Sequence, residues 1–258
     1  MRDPGLSDAI RAAGGVSELA RRLGISQPAV TNWNRVPAER VLAVESATGI
    51  PRMRLRPDLY REPPMSVVID EIDAARAQEY ALLATLLAGP PDARLLTRLA
   101  RLEGDDTPLG QAHRALAHAA ATAVVQDIER EHFNLFVGVG RGELMPYGSY
   151  YLTGFLYERP LARLRQDLDA LGIERAEGNA EPEDHAATLC EIMAAVAGGR
   201  FPATKEAERD LFEKHIEPWF ARFFGDLENA SAAQFYRAVG ALGRVFIDIE
   251  TEAFALPD

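Results

Sequence analysis

Apolar residues recur every three or four positions along most of the chain, which is the spacing of helices that bury one face. The clearest stripes are Leu95, Leu96, Leu99 and Leu102; Leu161, Leu164, Leu168 and Leu171; and Phe235, Val239, Leu242, Phe246, Ile249 and Ala253. The alternating pattern of a half-buried strand does not persist over any useful length. The sequence therefore predicts an all-α protein, with roughly seven or more helices beyond residue 66. Ser231 is a predicted N-cap for the last helix.

Two successive prolines, Pro63 and Pro64, interrupt this pattern. Proline lacks the backbone N–H of a continuing helix and disfavours helical backbone in the residue before it. We predict a small domain at residues 1–62, a proline-rich linker at 63–66 and a larger domain at 67–258. These are called the head, the linker and the body.

Charge is distributed unevenly between these parts. The formal net charge is −11. Residues 1–62 contain ten arginines against seven acidic residues, which gives +3, and residues 63–258 contain 18 basic against 32 acidic residues, which gives −14. A mildly basic head can approach nucleic acid, whereas the body would be repelled by it.

Composition indicates a globular chain with 47% apolar and 26% charged residues. No apolar run reaches the length of a membrane span, and the N-terminal residues contain no apolar segment of a secretory signal. One cysteine, Cys190, excludes an internal disulfide framework and a multi-cysteine metal site, and its apolar setting predicts an inert core thiol. We therefore predict a cytoplasmic protein with no membrane partner and no metal.

The head contains the spacing of a helix-turn-helix in residues 16–35, VSELARRLGISQPAVTNWNR. Ala20 is small where two helices must cross closely. Gly24, four residues later, suits the positive φ of a tight turn, and Val30 follows six residues after it to pack back on the first helix. Pro28 is tolerated in the first turn of the second helix.

The second helix of this motif presents side chains that suit a base edge. Glutamine and asparagine form paired hydrogen bonds with adenine, and small apolar groups meet the thymine methyl. The alternative is a helical hairpin that binds no DNA, but spacing and chemistry together favour DNA. The predicted base contacts are Gln27, Ala29, Thr31 and Asn32, and the predicted phosphate contacts are Arg21, Arg22 and Arg35.

Residues 5–60 as a whole resemble the Cro/YdaS-like helix-turn-helix family. The resemblance lies in GLSDAIRAAGGVSELARRLGISQPAVTNW, then VPAERVLAVESATGI, then LRPDLY. It implies a DNA-binding domain of about five helices that usually acts as a dimer. Because a head of charge +3 makes few phosphate contacts, we expect a homodimer.

Glycines at 138, 140 and 142 suggest a phosphate-binding loop, but no strand precedes them and no Gly-Lys-Ser/Thr ends them. The segment instead predicts a loop between helices that stops at Pro146, with Ser149 capping the next helix. Since no nucleotide-binding motif is recognisable, we predict no bound cofactor.

The segment Glu181-Pro182-Glu183-Asp184-His185 allows two interpretations. Proline suits the first position of a helix, and acidic residues there complement the helix dipole. Alternatively, the acids form a patch that faces a cationic ligand. Further along, aromatic residues from Phe212 to Phe224 are typical of a core, and Pro218 is expected to kink or restart a helix.

Together these segments change the interpretation. LF-x-G-x-GRGEL-x-PYGSYYLTGF-x-YERPL, EPEDH and F-x-x-HI-x-PWF-x-x-F occur in this order, and residues 67–254 resemble the TorD/DmsD/NarJ family of redox-enzyme maturation chaperones. The resemblance implies an all-helical chaperone, not an enzyme, that binds the twin-arginine signal peptide or the apo-form of a molybdenum enzyme. The implied peptide-binding residues are Pro146, Tyr147, Ser149, Glu181, Asp184, His185, His215, Pro218 and Trp219, the last three with a structural role as an alternative.

Two other functions are weighed. The chain can be a transcriptional regulator whose helical body is a sensor or a dimerisation domain. A hydrolase that uses Asp184 and His185 is disfavoured, since no nucleophile motif accompanies them. The family does not normally carry a DNA-binding head, so the sequence indicates either a fusion of regulator and chaperone or a start codon set upstream of Met65.

Overall fold

The computed structural model describes residues 3–57, 59, 69–174, 181–201 and 203–256. Contacts divide the chain into two compact units, residues 1–67 and 68–258. Within the described ranges every regular element is helical, apart from one isolated bridge between Tyr147 and His185, so the all-α prediction is confirmed. The predicted linker, residues 63–66, lies outside the described residues.

The first unit contains five short α-helices in its described part, as the resemblance implied. A single turn of 3-10 helix at Ala38–Arg40 precedes the fourth. The α-helices are α1 (Pro4–Ala13), α2 (Val16–Leu23), α3 (Gln27–Thr31), α4 (Val41–Thr48) and α5 (Arg52–Leu55).

The turn between α2 and α3 follows the predicted geometry. Gly24 ends α2 with a φ of 66°, and its N–H donates to the Ala20 carbonyl. Val30 and Ala20 are buried together in a small core with Leu19 and Ala13. The positive φ is the reason that glycine is needed at this position, since side chains with a Cβ rarely adopt it.

The second unit is a bundle of ten α-helices within the described residues. A turn of π-helix at Phe133–Val137, called the π-turn, follows α9 directly. The α-helices are α6 (Glu71–Ala88), α7 (Ala93–Leu99), α8 (Pro108–Thr122), α9 (Val125–His132), α10 (Gly148–Thr153), α11 (Arg159–Ala170), α12 (Ala186–Ala197), α13 (Lys205–His215), α14 (Glu217–Asn229) and α15 (Phe235–Phe254). The three predicted apolar stripes fall mainly on α7, α11 and α15.

Helix α12 lies at the centre of the bundle, where it packs chiefly on α6. Nearly all of its side chains are buried, so it is apolar on every face rather than along one stripe. Cys190 lies in it without solvent exposure, and burial raises the pKa of its thiol well above the usual range. The thiolate is the reactive form of cysteine, so this geometry makes the thiol inert.

The aromatic residues of α14 form the other half of the core, as predicted. Trp219, Phe220, Phe223 and Phe224 are buried and contact one another edge to face or tilted. Gly243 on α15 makes room for them, since a Cβ there would lie 2.2 Å from the Phe224 ring. Pro218 stands in the first turn of α14, so the prediction that it restarts a helix is confirmed.

A buried carboxylate, that of Glu131, holds the start of α15. Glu131 accepts hydrogen bonds from the backbone N–H groups of Gln234, Phe235 and Tyr236 at 2.7, 3.1 and 2.7 Å. The prediction that Ser231 caps this helix is wrong, because the helix begins at Phe235. Ser231 lies four residues earlier and donates its own N–H and hydroxyl to the Glu143 carboxylate.

The described residues contain no helix that is both long and apolar enough to cross a lipid bilayer.

Replacing Glu131 removes the acceptor for three N–H groups at the start of α15. We expect Glu131→Ala to lower the free energy of unfolding by about 3 kcal/mol, and Glu131→Gln by less, because the amide keeps one acceptor oxygen. Urea denaturation of both variants measures this. The exposed Glu129 on the same helix provides the control, since Glu129→Ala should change stability by less than about 0.5 kcal/mol. Equal losses for the two alanine variants would contradict the proposed role of Glu131.

Candidate functional site

Two segments that are distant in sequence join at the candidate site. The N–H of Gly148 donates to the Asp184 carbonyl at 2.9 Å, and the N–H of Ala186 donates to the Pro146 carbonyl at 2.8 Å. These two bonds form the isolated antiparallel bridge between Tyr147 and His185. The bridge thereby brings the glycine-loop and EPEDH segments side by side.

The Asp184 carboxylate caps α10. Its Oδ2 accepts the backbone N–H of Ser149 at 2.7 Å, and both residues are buried, with Asp184 only 3% exposed. The prediction that Ser149 caps this helix is wrong, because Ser149 lies inside the first turn and Tyr147 occupies the N-cap position. The cap therefore comes from the EPEDH segment, and Asp184 stabilises the site as a buried support rather than as an exposed group.

His185 caps α12 in a similar way. Its Nδ1 accepts the N–H of Ala187 at 3.1 Å, which leaves the proton of the neutral ring on Nε2. Pro182 does not start the helix, as one interpretation had it; it lies in the preceding turn, where its carbonyl accepts the N–H of His185. Burial lowers the pKa of His185, although the carboxylates of Glu181 and Asp184 act in the opposite direction.

Tyr147 connects the bridge to a carboxylate at the surface. Its hydroxyl donates to Glu181 Oε2 at 2.6 Å, and its ring meets the edge of the His185 ring at a centroid distance of 5.1 Å. Burial, followed by the bond to Glu181, raises the pKa of the phenol. Glu181 is exposed, and the bond from Tyr147 holds its carboxylate in a defined position.

Tyr147, Glu181 and His185 line a groove of about 650 Å³, with the exposed Glu181 at its mouth. The groove is formed by α6, the π-turn, the bridge and α12. Its walls are mostly apolar, and its charged residues are Glu181, Glu191 and Arg200. The described lining residues are Ala81, Ala84, Thr85, Leu87, Ala88, His132, Phe136, Val137, Tyr147, Glu181, His185, Ala187, Thr188, Glu191, Ala194 and Arg200. A volume of this size is typical of a ligand site.

Sequence reasoning missed several of these residues. His132 lies in the groove wall, with ring centroids 5.1 Å from Phe136 and 5.7 Å from Tyr236. Burial lowers its pKa, and so does the nearby His185. The sequence could have pointed to His132, because residues 131–136 directly precede the glycine loop. Nothing in the sequence points to Glu191 or to the α6 residues, because only the packing of α6 on α12 places them in the groove.

The three residues of the last motif lie apart from the groove lining described above. Trp219 is buried beneath the start of α10, where a Cβ on Gly148 would lie 3.2 Å from the indole Nε1. Its N–H donates to the carbonyl of His215 at 2.8 Å. His215 Nε2 lies 2.7 Å from Asp167 Oδ2 on α11, and Pro218 is exposed. Trp219 therefore supports the bridge from inside the bundle.

The head presents its predicted base-contacting residues on α3. Gln27, Thr31 and Asn32 are exposed, and Ala29 is half-buried. The Thr31 hydroxyl donates to the carbonyl of Gln27 at 2.9 Å, which favours its methyl as the contact surface. Arg35 is exposed beyond the end of this helix.

Of the predicted phosphate contacts, Arg21 and Arg22 both donate to Glu18 on α2. These hydrogen bonds lower the pKa of Glu18 to about 2. Arg22 also donates to the carbonyl of Ala47 at 3.0 Å. A phosphate would therefore have to compete with Glu18 for both guanidinium groups.

Two family models match the chain. The family model described as nitrate reductase delta subunit matches residues 102–225, and the model described as bacterial toxin YdaS matches residues 6–64.

Curated relatives of the body include two chaperones. The chain is 26% identical over 210 residues to the chaperone protein TorD of Shewanella loihica, an alignment that covers 72% of this chain and 96% of that protein. It is 32% identical over 114 residues to the Tat proofreading chaperone DmsD of Salmonella paratyphi A, which covers 43% of this chain and 54% of that protein. A solved structure of a candidate redox enzyme maturation protein from Archaeoglobus fulgidus aligns with a TM-score of 0.46 and 18% identity, over 74% of this chain and 98% of that one.

Because the pKa of His185 is lowered in the folded state, the unfolded state binds a proton more readily. The contribution of His185 to stability is therefore complete above about pH 6.5 and is lost as the pH falls through the lowered pKa. We expect the urea midpoint to fall between about pH 7.5 and about pH 5.5. The fall should be smaller in His185→Asn, whose amide keeps the cap but does not titrate.

His113, whose pKa Glu79 raises, has the opposite pH dependence. His113 and His132 are present in both the wild type and His185→Asn. The difference between their two curves of urea midpoint against pH therefore isolates His185. Parallel curves for the wild type and His185→Asn would show that this imidazole does not govern the pH dependence.

Proposed function

We propose that the groove of the body receives the twin-arginine signal peptide of a molybdenum-enzyme precursor. The chain joins a Cro/YdaS-like helix-turn-helix head to a body that belongs to the TorD/DmsD/NarJ family of redox-enzyme maturation chaperones. Members of this family are chaperones rather than catalysts, and this chain is not an enzyme. Because such a signal peptide is bound before export, we propose that the protein acts in the cytoplasm.

The observation that carries the proposal is the position of Glu181. Its carboxylate is exposed at the mouth of the groove and is oriented by the Tyr147 hydroxyl, beside the buried His185. A guanidinium pairs with a carboxylate through two parallel hydrogen bonds, so an oriented carboxylate suits arginine better than lysine. Glu191 provides a second carboxylate in the same groove.

The walls of the groove suit the rest of an arginine side chain. Phe136, Val137 and Ala84 present apolar surface on which the methylene groups of arginine can pack while the guanidinium reaches a carboxylate. His132 and His185 are kept neutral near pH 7 by burial, so they add no positive charge beside an incoming cation. The charge of −14 on residues 63–258 attracts a cationic peptide from a distance.

Binding is tested by calorimetry on the full chain with a twin-arginine signal peptide from a molybdoenzyme precursor. The control is the same peptide with both arginines replaced by alanine. We expect saturable binding of the first peptide and much weaker binding of the second. Equal affinity for the two peptides, or none for either, would contradict the proposal.

Glu181→Gln keeps an acceptor for the Tyr147 hydroxyl but removes the charge. We expect it to weaken binding of the twin-arginine peptide by about tenfold and to reduce the dependence of affinity on salt. Glu129→Gln, an exposed change outside the groove, should leave the affinity unchanged. Equal affinities for Glu181→Gln and Glu129→Gln would remove Glu181 from the site.

We propose DNA binding by the head as a second function, on the strength of the exposed polar side chains of α3 next to the Gly24 turn. In this case the chain is a transcriptional regulator, and the body serves as its sensor or dimerisation domain. Homodimerisation of the head remains a prediction. The two functions are separable, since the peptide and DNA assays concern different units.

Selection from a random double-stranded DNA library with the full chain tests this function. We expect Gln27→Ala to relax the preference at one base pair by about 1–3 kcal/mol. Arg35→Ala should lower the affinity for all DNA sequences alike. It should also reduce the salt dependence of this affinity by an amount equal to about one phosphate contact. Arg101→Ala in the body is the control. Enrichment of no sequence, or an unchanged preference in Gln27→Ala, would contradict the assignment.

A further inference from the structure

Three large apolar side chains are exposed within six residues at the end of α10 and in the loop before α11. Leu152 is 43% exposed, Phe155 69% and Tyr157 71%. Scattered apolar residues on a surface are ordinary, whereas a group of this kind is typical of an interaction site. We call these three residues the ledge.

The backbone of the ledge is strained. Tyr157 has a φ of 61°, and it is the one residue other than glycine with a positive φ among the described residues. A bulky side chain in this region gives up backbone stability, and Tyr157 recovers little of it by burial. Backbone strain of this kind is more common at binding sites than elsewhere.

The ledge lies next to the mouth of the groove. Helix α10, of six residues and about 9 Å, begins at the bridge and ends at the ledge. The Thr153 hydroxyl donates to the carbonyl of Ser149 at 2.8 Å and ties the two ends of this helix together. Burial chiefly raises the pKa of Tyr147, and the hydrogen bond to Glu183 chiefly raises that of Arg165; Tyr157 is close enough to add a little to both.

Carboxylates adjoin the ledge on this side. Tyr147 holds Glu181, and Arg165 donates to Glu183 Oε2 at 2.8 and 3.0 Å. Glu183 is paired with Arg165, so the carboxylate of Glu181 is the one that complements a cation here. A carboxylate beside an apolar surface complements a signal peptide, in which a positively charged segment is followed directly by an apolar stretch of about 7–15 residues.

We infer that the ledge of Leu152, Phe155 and Tyr157 binds the apolar stretch of the same signal peptide whose arginines enter the groove. This inference rests on the proposed function. It divides recognition into a charged contact at Glu181 and an apolar contact at the ledge, about one short helix apart.

A double-mutant cycle on the full chain tests the inference by fluorescence anisotropy. The ledge variant carries Phe155→Ser and Tyr157→Asn; asparagine tolerates a positive φ, so the backbone of this turn is retained. The matched control is Val124→Ser, which changes an apolar residue that is 53% exposed elsewhere in the body. Two labelled peptides are compared, the twin-arginine signal peptide and a version whose apolar-stretch leucines are serines.

We expect the ledge variant to bind the first peptide about tenfold more weakly and to bind the serine peptide as the wild type does. Glu181→Gln should weaken both peptides. The urea midpoint of the ledge variant should equal or exceed that of the wild type, because a strained residue has been replaced.

Wild-type affinity of the ledge variant for the first peptide, with Glu181→Gln still impaired, would overturn the inference and leave the proposed function intact. The same holds if sedimentation shows that the ledge variant changes only the oligomeric state, which would make the ledge a contact between copies. Failure of the wild-type chain to bind the first peptide at all would instead overturn the proposed function, and the inference with it.

Discussion

The hydrogen bond from the Ser149 N–H to the Asp184 carboxylate is the contact on which the site depends. A helix N-terminus has N–H groups without partners inside the helix. A buried carboxylate there caps these groups, and the helix dipole compensates its negative charge. This bond ties the start of α10 to the residue that precedes His185. Together with the backbone bonds of the bridge, it fixes the position of Tyr147, whose hydroxyl in turn holds the Glu181 carboxylate.

The same device recurs at α15, where Glu131 accepts three N–H groups. In both places a carboxylate from one segment accepts the N–H groups at the start of a helix that lies far away in the sequence. Charge-assisted hydrogen bonds therefore fix the starts of α10 and α15 to segments that are distant in the sequence.

Local signals in the sequence were sufficient for much of the fold. The stripe on α11 and the Gly24 turn depend on residues a few positions apart, and both were predicted correctly. The caps were predicted wrongly because their partners are distant: Asp184 lies 35 residues beyond Ser149, and Glu131 lies 105 residues before Tyr236. The motifs indicated the Tyr147 and His185 side of the site. The opposite wall required the packing of α6 on α12, which no periodicity reveals.

The burial of Cys190 has a consequence for how a client leaves. The sequence contains one cysteine, and its thiol is enclosed in α12 without access to solvent. A precursor of a redox enzyme can present reactive thiols, yet the one thiol of this protein is not accessible to form a mixed disulfide with them. Capture and release are then governed by reversible contacts alone, and neither oxidants nor reductants can lock the complex through this chain.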